Sequence, residues 1–332
     1  MERKINFLFS IGQTNFLLLY LRGCKYYAKM IKRLLQLIVL LTAMLAGAIL
    51  MYVFAIASLM LVHACTFDRA MVYLSQAGGV RFLQALQTVF LFVLPVFLML
   101  RIFKQDSRQY LSLRKVSVNK ILLAMLSILL MMPLMNLIIS WNEQMHLPQA
   151  WASIEAWMRR QEMAATQLTE LMMSDVSWRG LVLNLLVMAL MTAFAEECFF
   201  RGTLQTMLKT ETDKMPHLAI WVTAFIFSAI HLQFYGFFPR LLMGAWLGYL
   251  LCWTGSLWVP VAAHAFNNAM VVFSYYALDK QWIPENFGET IGTGNTWYLA
   301  VVSALSMMAL SLYLSDSQFS FKQFFSKRSQ IS

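Results

Sequence analysis

The sequence predicts an all-α, polytopic integral membrane protein with about eight transmembrane helices around a polar intramembrane cavity. Three observations carry that prediction. Of the 332 residues, 60% are hydrophobic and 13% charged, whereas a soluble domain is near half apolar and a quarter charged. The apolar residues fall into runs close to the roughly 20 residues that a helix needs to cross a bilayer. Inside those runs ionisable residues are scarce, and those that matter fall in runs close together in sequence.

Residues 1–35 form a basic N-terminal segment. Within it "INFLFSIGQTNFLLLYL", behind Arg3 and Lys4, has the look of a short signal-peptide core, but no small-residue cleavage site follows. An interfacial amphipathic stretch is the expectation, with Met30, which opens "MIKRLLQLIVLL", as an alternative natural start. Residues 36–141 carry three spans, at 36–62, 82–100 and 121–140. Residues 142–177 make the longest loop, in which Trp151, Ile154, Trp157 and Met158 recur at helical spacing behind Pro148. This segment is expected to be extracytoplasmic and amphipathic, a helix lying on the outer surface or else a mobile linker. Residues 178–278 hold four spans, at 180–206, 216–234, 238–253 and 257–278. Gly244 and Gly248 in the third of these make a GxxxG, which lets helix backbones approach closely and is read as packing. Residues 279–332 supply a final span, 297–314, and a cytoplasmic tail.

The net charge of +10 does not indicate a nucleic-acid partner, because the basic residues cluster in loops between apolar runs, as membrane topology requires. Lys and Arg concentrate in 1–35, 101–120, 207–215 and beyond 314, which favours both termini in the cytoplasm of a multi-pass protein of the bacterial inner or plasma membrane type. Arg69, Arg81, Arg159, Arg160, Arg179, Arg240 and Lys280 count with the outer segments. The cysteines, Cys24, Cys65, Cys198 and Cys252, have neither CxxC nor metal-ligand spacing, so disulfides are not expected to define the fold.

Ionisable groups at bilayer depth cost about 2.5–3.5 kcal/mol each on insertion scales and default to function. "AFAEECFFRG" places Glu196 and Glu197 in an apolar helix. Glu197 and Arg201 are four apart in the favourable order for an intrahelical ion pair. Glu196 points about 100° away, has no intrahelical partner, and is left as a free carboxylate suited to general-base work. Phe227 and His231 share a face of the next run, and His264 and Asn268 share one further on, with Asn267 pointing elsewhere. An imidazole near the carboxylate can hold a water, and a second imidazole with an amide N–H2 is the type of donor pair that stabilises an oxyanion. Helical rise puts the three helices' polar groups together in the inner or middle part of the bilayer. His63, His146 and His217 are expected to have no catalytic role, and Cys198 to be a small buried residue. Ser228 precedes His231 by three residues but has no nucleophile elbow around it.

EExxxR at Glu196, Glu197 and Arg201, FxxxH at Phe227 and His231, and HxxxN at His264 and Asn268 together resemble the three motifs of the CPBP family, the CAAX protease and bacteriocin-processing (Abi) intramembrane endopeptidases. The likeness covers about 178–278. It implies a helical core around a water-filled cavity in which Glu196 activates water with help from His231, His264 and Asn268 stabilise the oxyanion, and Glu197 with Arg201 braces the site. The expected reaction is hydrolysis of a peptide bond in a membrane-associated protein or peptide. A non-catalytic immunity or scaffold protein and a proton-coupled carrier are the alternatives. No cofactor is expected, for want of HExxH and because Asn is a poor zinc ligand; the alternative is zinc at Glu196, His231 and His264. The expected partners are membrane lipid and the peptide substrate.

Overall fold

The computed structural model describes residues 2–209, 216–284 and 290–328, with side chains for 27–209, 216–284 and 290–315. Every predicted apolar run is helical, and no strand occurs among the described residues. The helices are α1 (Glu2–Val62), α2 (Phe67–Leu74), α3 (Ala77–Ile102), α4 (Val118–Glu143), α5 (Ala152–Met173), α6 (Trp178–Leu208), α7 (His217–Ala229), α8 (Phe237–Thr254), α9 (Trp258–Asp279) and α10 (Trp297–Arg328). Five described helical stretches are long and apolar enough to cross a membrane: Tyr27–Val62, α3, α4, α6 and Gly294–Ser315. The chain is a multi-pass membrane protein. The side chains of the N-terminal stretch behind Arg3 and Lys4 lie outside the described residues.

The bundle turns apolar side chains both inward and outward. Leu40, Val96, Met99, Leu100, Phe200 and Leu204 bury one core between α1, α3 and α6, and Ile128, Leu247, Leu250, Val259 and Leu310 a second between α4, α8, α9 and α10. Leu45 and Ile49 on α1 and Leu305 and Met308 on α10 stay exposed, as lipid-facing positions do. Polar groups are withdrawn from the surface as well. Glu197 and Arg201 are fully buried.

The run read as a span over 216–234 is shorter than predicted. α7 has 13 residues, about 20 Å of helix, and the chain then turns through 230–236. Two side-chain bonds close it. The His231 ring donates from Nδ1 to the Phe227 carbonyl at 2.7 Å, while its backbone N–H goes to the Ser228 carbonyl. The Ser228 hydroxyl donates to the Phe237 carbonyl at 2.7 Å. Leu232 then adopts a left-handed conformation, φ 54°, which ends a helix. His231 therefore sits just past the helix end.

Residues 152–173 of the long loop are helix α5 rather than a mobile linker. A buried cation fastens it. Arg81 of α3 donates from Nε to Asn184 Oδ1 of α6 at 2.8 Å and from Nη2 to the Met172 carbonyl at 2.6 Å, and pairs with Asp175 at 3.3 Å. The bundle has two distinct ends. At one, Ser256 and Leu257 bond the 112–114 backbone. At the other, α5 meets the 230–236 turn, with Glu162 accepting from Gln233 and from the Tyr235 N–H.

Candidate active site

The two adjacent acids lie on a short α-helical stretch of α6, Thr192–Glu197, between π-helical turns at Leu185–Met191 and Cys198–Leu204. The Thr192 and Thr203 hydroxyls donate to the carbonyls five residues back, at 2.9 Å each. Such turns are rare and concentrate at functional sites.

Glu197 is held by two helices at once. Its Oε1 accepts from Arg201 Nη1 at 2.6 Å and from His264 Nδ1 at 2.8 Å. Arg201 passes its second nitrogen across to α8, where Nη2 donates to the Gly244 carbonyl at 3.0 Å. Its guanidinium lies 4.5 Å from the Phe227 ring centroid. One turn later Gln205 Nε2 donates to the Gly248 carbonyl at 3.2 Å. The GxxxG packs as predicted and does more. A Cβ at Gly244 would lie 3.2 Å from the Ala224 Cβ and 3.3 Å from Arg201 Nη2; one at Gly248 would lie 2.7 Å from Gln205 Oε1. Small residues here admit both α7 and the side chains that bond the exposed carbonyls.

Glu196 has no such clamp. Its nearest ionisable partner is His264, with Nε2 at 3.8 Å from Oε2. It faces a cavity of about 640 Å3 that Phe227, His231, His264, Asn267 and Asn268 also line. The three motifs therefore converge on one space. Phe227 is the spacer between them. Its ring meets Phe200 at 5.0 Å, His231 at 5.1 Å and His264 at 6.0 Å, centroid to centroid, so one aromatic fixes the separation of two imidazoles. Asn268 Nδ2 donates to the Met188 carbonyl at 3.1 Å and its Oδ1 accepts from Asn267, leaving one amide hydrogen free.

The hydrogen bonds also set ring tautomers. The Phe227 carbonyl can only accept, so His231 carries its proton on Nδ1 and offers Nε2 as an acceptor when neutral. Glu197, ionised beside Arg201, likewise takes the Nδ1 proton of His264.

Access is from the end that carries α5. Glu196 lies about 18 Å above Leu208 by helical rise, while the upper wall is Glu143, Glu162, Thr166 and Tyr235. The polar groups thus meet partway along α6, with the opening toward the acidic 142–177 segment. Sequence reading missed two of the lining residues. Thr192 shares α6 with the acids and carries no signal of its own. Arg240, counted with the outer cations, lines the cavity; its position within the predicted run 238–253 is the signal that singles it out.

The three remaining histidines find structural partners. His63 stacks on Tyr73, His146 bonds Glu155, and His217 bonds the Tyr249 hydroxyl at 2.7 Å. Cys198 is fully buried. Among the described residues Cys65, Cys198 and Cys252 form no disulfide.

Comparison with known proteins bears on this region. Residues 178–270 match the family model "Type II CAAX prenyl endopeptidase Rce1-like". An uncharacterized protein of Bacillus subtilis (strain 168), YpbD, is 33% identical over 105 residues, which are 29% of this chain and 50% of that protein. The chain thus spans about half the length of this curated relative. No solved structure matches. The matched stretch holds both acids, Arg201, Phe227, His231, His264 and Asn268, so the residues that form the site lie within the part of the chain that is similar to the Rce1-like endopeptidase family.

Proposed function

We propose that the chain is a CAAX-type intramembrane endopeptidase that hydrolyses a peptide bond of a membrane-associated protein or peptide by glutamate-activated water. The observation that carries this reading is the asymmetry of the acid pair. Glu197 is neutralised by Arg201 and His264, while Glu196 faces the cavity without a cation bonded to it.

A water between Glu196 and the neutral Nε2 of His231 loses a proton to the carboxylate as its oxygen bonds the scissile carbonyl carbon. The carbonyl π electrons move to oxygen. The free amide hydrogen of Asn268 and the Nε2 side of His264 are the donors for that oxyanion. His264, held through Nδ1 by Glu197, turns Nε2 toward the cavity, where a proton on that nitrogen is the one donated to the oxyanion. Collapse breaks the C–N bond, and Glu196 returns its proton to the leaving amine. Removing an oxyanion donor typically costs about 100- to 1,000-fold in kcat.

We carry the reaction without a metal ion. Among the described residues no three His, Cys, Asp or Glu side chains gather as a metal site. Zinc at Glu196, His231 and His264 is tested by chelation. With both termini cytoplasmic, the cavity opens on the outer side of the membrane.

The test is cleavage of a membrane-anchored peptide library by the detergent-solubilised full chain, with and without chelator. Wild type is expected to cleave in both conditions, and Glu196→Gln to lose cleavage while keeping its thermal stability. Full proteolysis by Glu196→Gln would refute the mechanism, and chelator-sensitive cleavage would assign the reaction to zinc.

A further inference from the structure

Exposed tryptophans collect at one end of the bundle. Trp141 stands in the last turn of α4, Trp178 opens α6, Trp282 follows α9 and Trp297 opens α10, and all of them face outward. Trp151 leads into α5 and Trp157 lies on it, both exposed. Outward tryptophans gather where acyl chains meet headgroups, so this ring marks a membrane surface, and α5 lies at its level.

α5 has a side that suits that surface. It rests on the bundle through buried Met158 and Met172, with Glu162 toward the cavity. Ile154, Trp157 and Leu168, with Gln161 and Ala164 between them, recur at steps of three and four residues, about 90° round from that resting face. The three apolar side chains are exposed. Met163, Gln167 and Glu170 lie on the other side, exposed as well. A stripe set to one side of the resting face meets lipid at the rim of the bundle. Residues 142–177 carry Glu143, Glu155, Glu162, Glu170 and Asp175 against Arg159 and Arg160, so anionic headgroups repel the segment and a zwitterionic lipid fits it.

The same helix covers the cavity. Glu162 and Thr166 belong to its wall. The contacts that keep them there are light. Glu162 accepts from the Gln233 amide and the Tyr235 N–H at 3.3 Å each, and the Arg159 guanidinium sits 4.8 Å from the Tyr235 ring centroid. The first turn bonds to its own lead-in, at His146 and Leu147. The firm attachment is at the far end, where Arg81 holds the Met172 carbonyl. α5 is thus fixed at one end and, over the cavity, held by contacts that water can replace.

We propose that α5 is an interfacial lid: Ile154, Trp157 and Leu168 seat it in zwitterionic phospholipid at the membrane surface, and this seat holds Glu162 and Thr166 over the cavity and so governs access to Glu196. The proposal goes beyond the endopeptidase reading and stands without it.

The experiment uses the full chain in phosphatidylcholine nanodiscs that include a phosphatidylcholine with a diazirine high in its acyl chain. After illumination, adducts mapped by mass spectrometry are expected at Ile154, Trp157 or Leu168 and not at Gln167 or Glu170. Adducts on α3 and α10 with none on α5 overturn the seat. So does, with two chains per disc, a chain-to-chain cross-link through Trp157 in place of lipid adducts, which gives the face to a second copy. Adducts on α5 that increase when phosphatidylglycerol replaces half of the lipid overturn the choice of a zwitterionic partner. Access is read as the rate at which a water-soluble maleimide modifies Glu196→Cys in the same discs. Ile154→Gln, Trp157→Gln and Leu168→Gln together should remove the α5 adducts and raise that rate by about 10-fold or more, the scale of withdrawing one such side chain from apolar surroundings. Met163→Gln should change neither. A rate unchanged by the triple substitution, or raised equally by Met163→Gln, overturns the lid. Should the triple variant not fold, Trp157→Gln alone decides. Neither readout involves cleavage, so a chain that cleaves nothing would sink the endopeptidase reading and leave this test intact.

Discussion

Replacing Arg201 with Met tests the buried cluster without reference to any activity. Arg201 is fully buried, bonds Glu197 at 2.6 Å and the Gly244 carbonyl at 3.0 Å, and covers the Phe227 ring at 4.5 Å. Met fills much of the volume but leaves Glu197 with His264 as its remaining bonded partner and the Gly244 carbonyl with its helical bond alone. Removing one partner of a buried ion pair costs about 3–5 kcal/mol. Glu197→Gln strands the opposite charge, so each single variant is expected to lose about 4 kcal/mol or more. In the double variant neither charge is left alone. Its loss should fall short of the summed singles by about 2–3 kcal/mol, the coupling of directly bonded groups. The assay is reversible unfolding of the detergent-solubilised chain, read as a double-mutant cycle. Additivity within about 0.5 kcal/mol would show that the two charges do not depend on each other and that Glu197 is not neutralised as described.

Other substitutions probe the same architecture. Phe227→Ala should destabilise by about 3–5 kcal/mol and reduce cleavage further than its stability loss explains, because it frees both imidazoles; Phe227→Leu, measured in parallel, should recover most of the stability and less of the activity. Gly248→Ala should cost about 1–3 kcal/mol and exceed Gly244→Ala in thermal unfolding, since its Cβ would meet Gln205 Oε1 at 2.7 Å and Ile220 Cγ2 at 2.9 Å. In the first turn of α5, Arg159 first, then His146 and the Leu147 N–H, hold the Glu155 carboxyl down to about 2 from 4.5. A depressed carboxyl stabilises above its unfolded value, so the tie between this first turn and residues 146–147 is complete above pH about 4.5 and lost as pH falls toward 2. Hydrogen exchange of α5 should rise across that window in wild type, and Glu155→Gln should show the raised exchange already at pH 6; protection in wild type that stays flat to pH 2 would refute the anchor.

Much of this was legible because membrane sequences are constrained. Helices were forced wherever apolar runs were long, since a chain in lipid must satisfy its own backbone, and every run did fold as one. The pairing of Glu197 with Arg201 followed from helical spacing. What spacing did not give was the role of His264 as a second donor to Glu197, because that contact joins α9 to α6 and no local pattern encodes it. Nor did spacing give the π-helical turns on both sides of the acids, which break the 3.6-residue period on which face arguments rest. The end of α7 was missed for a related reason. "FIFSAIHLQF" is mostly apolar, and the bonds that stop the helix come from the His231 ring and the Ser228 hydroxyl. Arg81 and Arg240 looked like outer-loop cations; one proved a buried clamp on α5 and the other a cavity wall, a distinction that depends on what packs above them.

The division of labour between two neighbouring glutamates begins in the sequence, since Glu197 has Arg201 four residues on and Glu196 has no partner on the same helix, and packing completes it. α8 comes close enough, through Gly244, to receive Arg201, and α9 comes close enough to aim His264 at the same carboxylate. Both contacts fall on Glu197 because it lies on the side of α6 that faces these helices. Its neighbour, about 100° around the helix, is turned to the one face where no helix has closed the gap. The same approach of helices that neutralises one acid therefore leaves the other in the cavity. A mutation that widened the α6–α8 contact would disturb Glu196 through Glu197, which is why the Arg201 cycle bears on the site although it measures only stability.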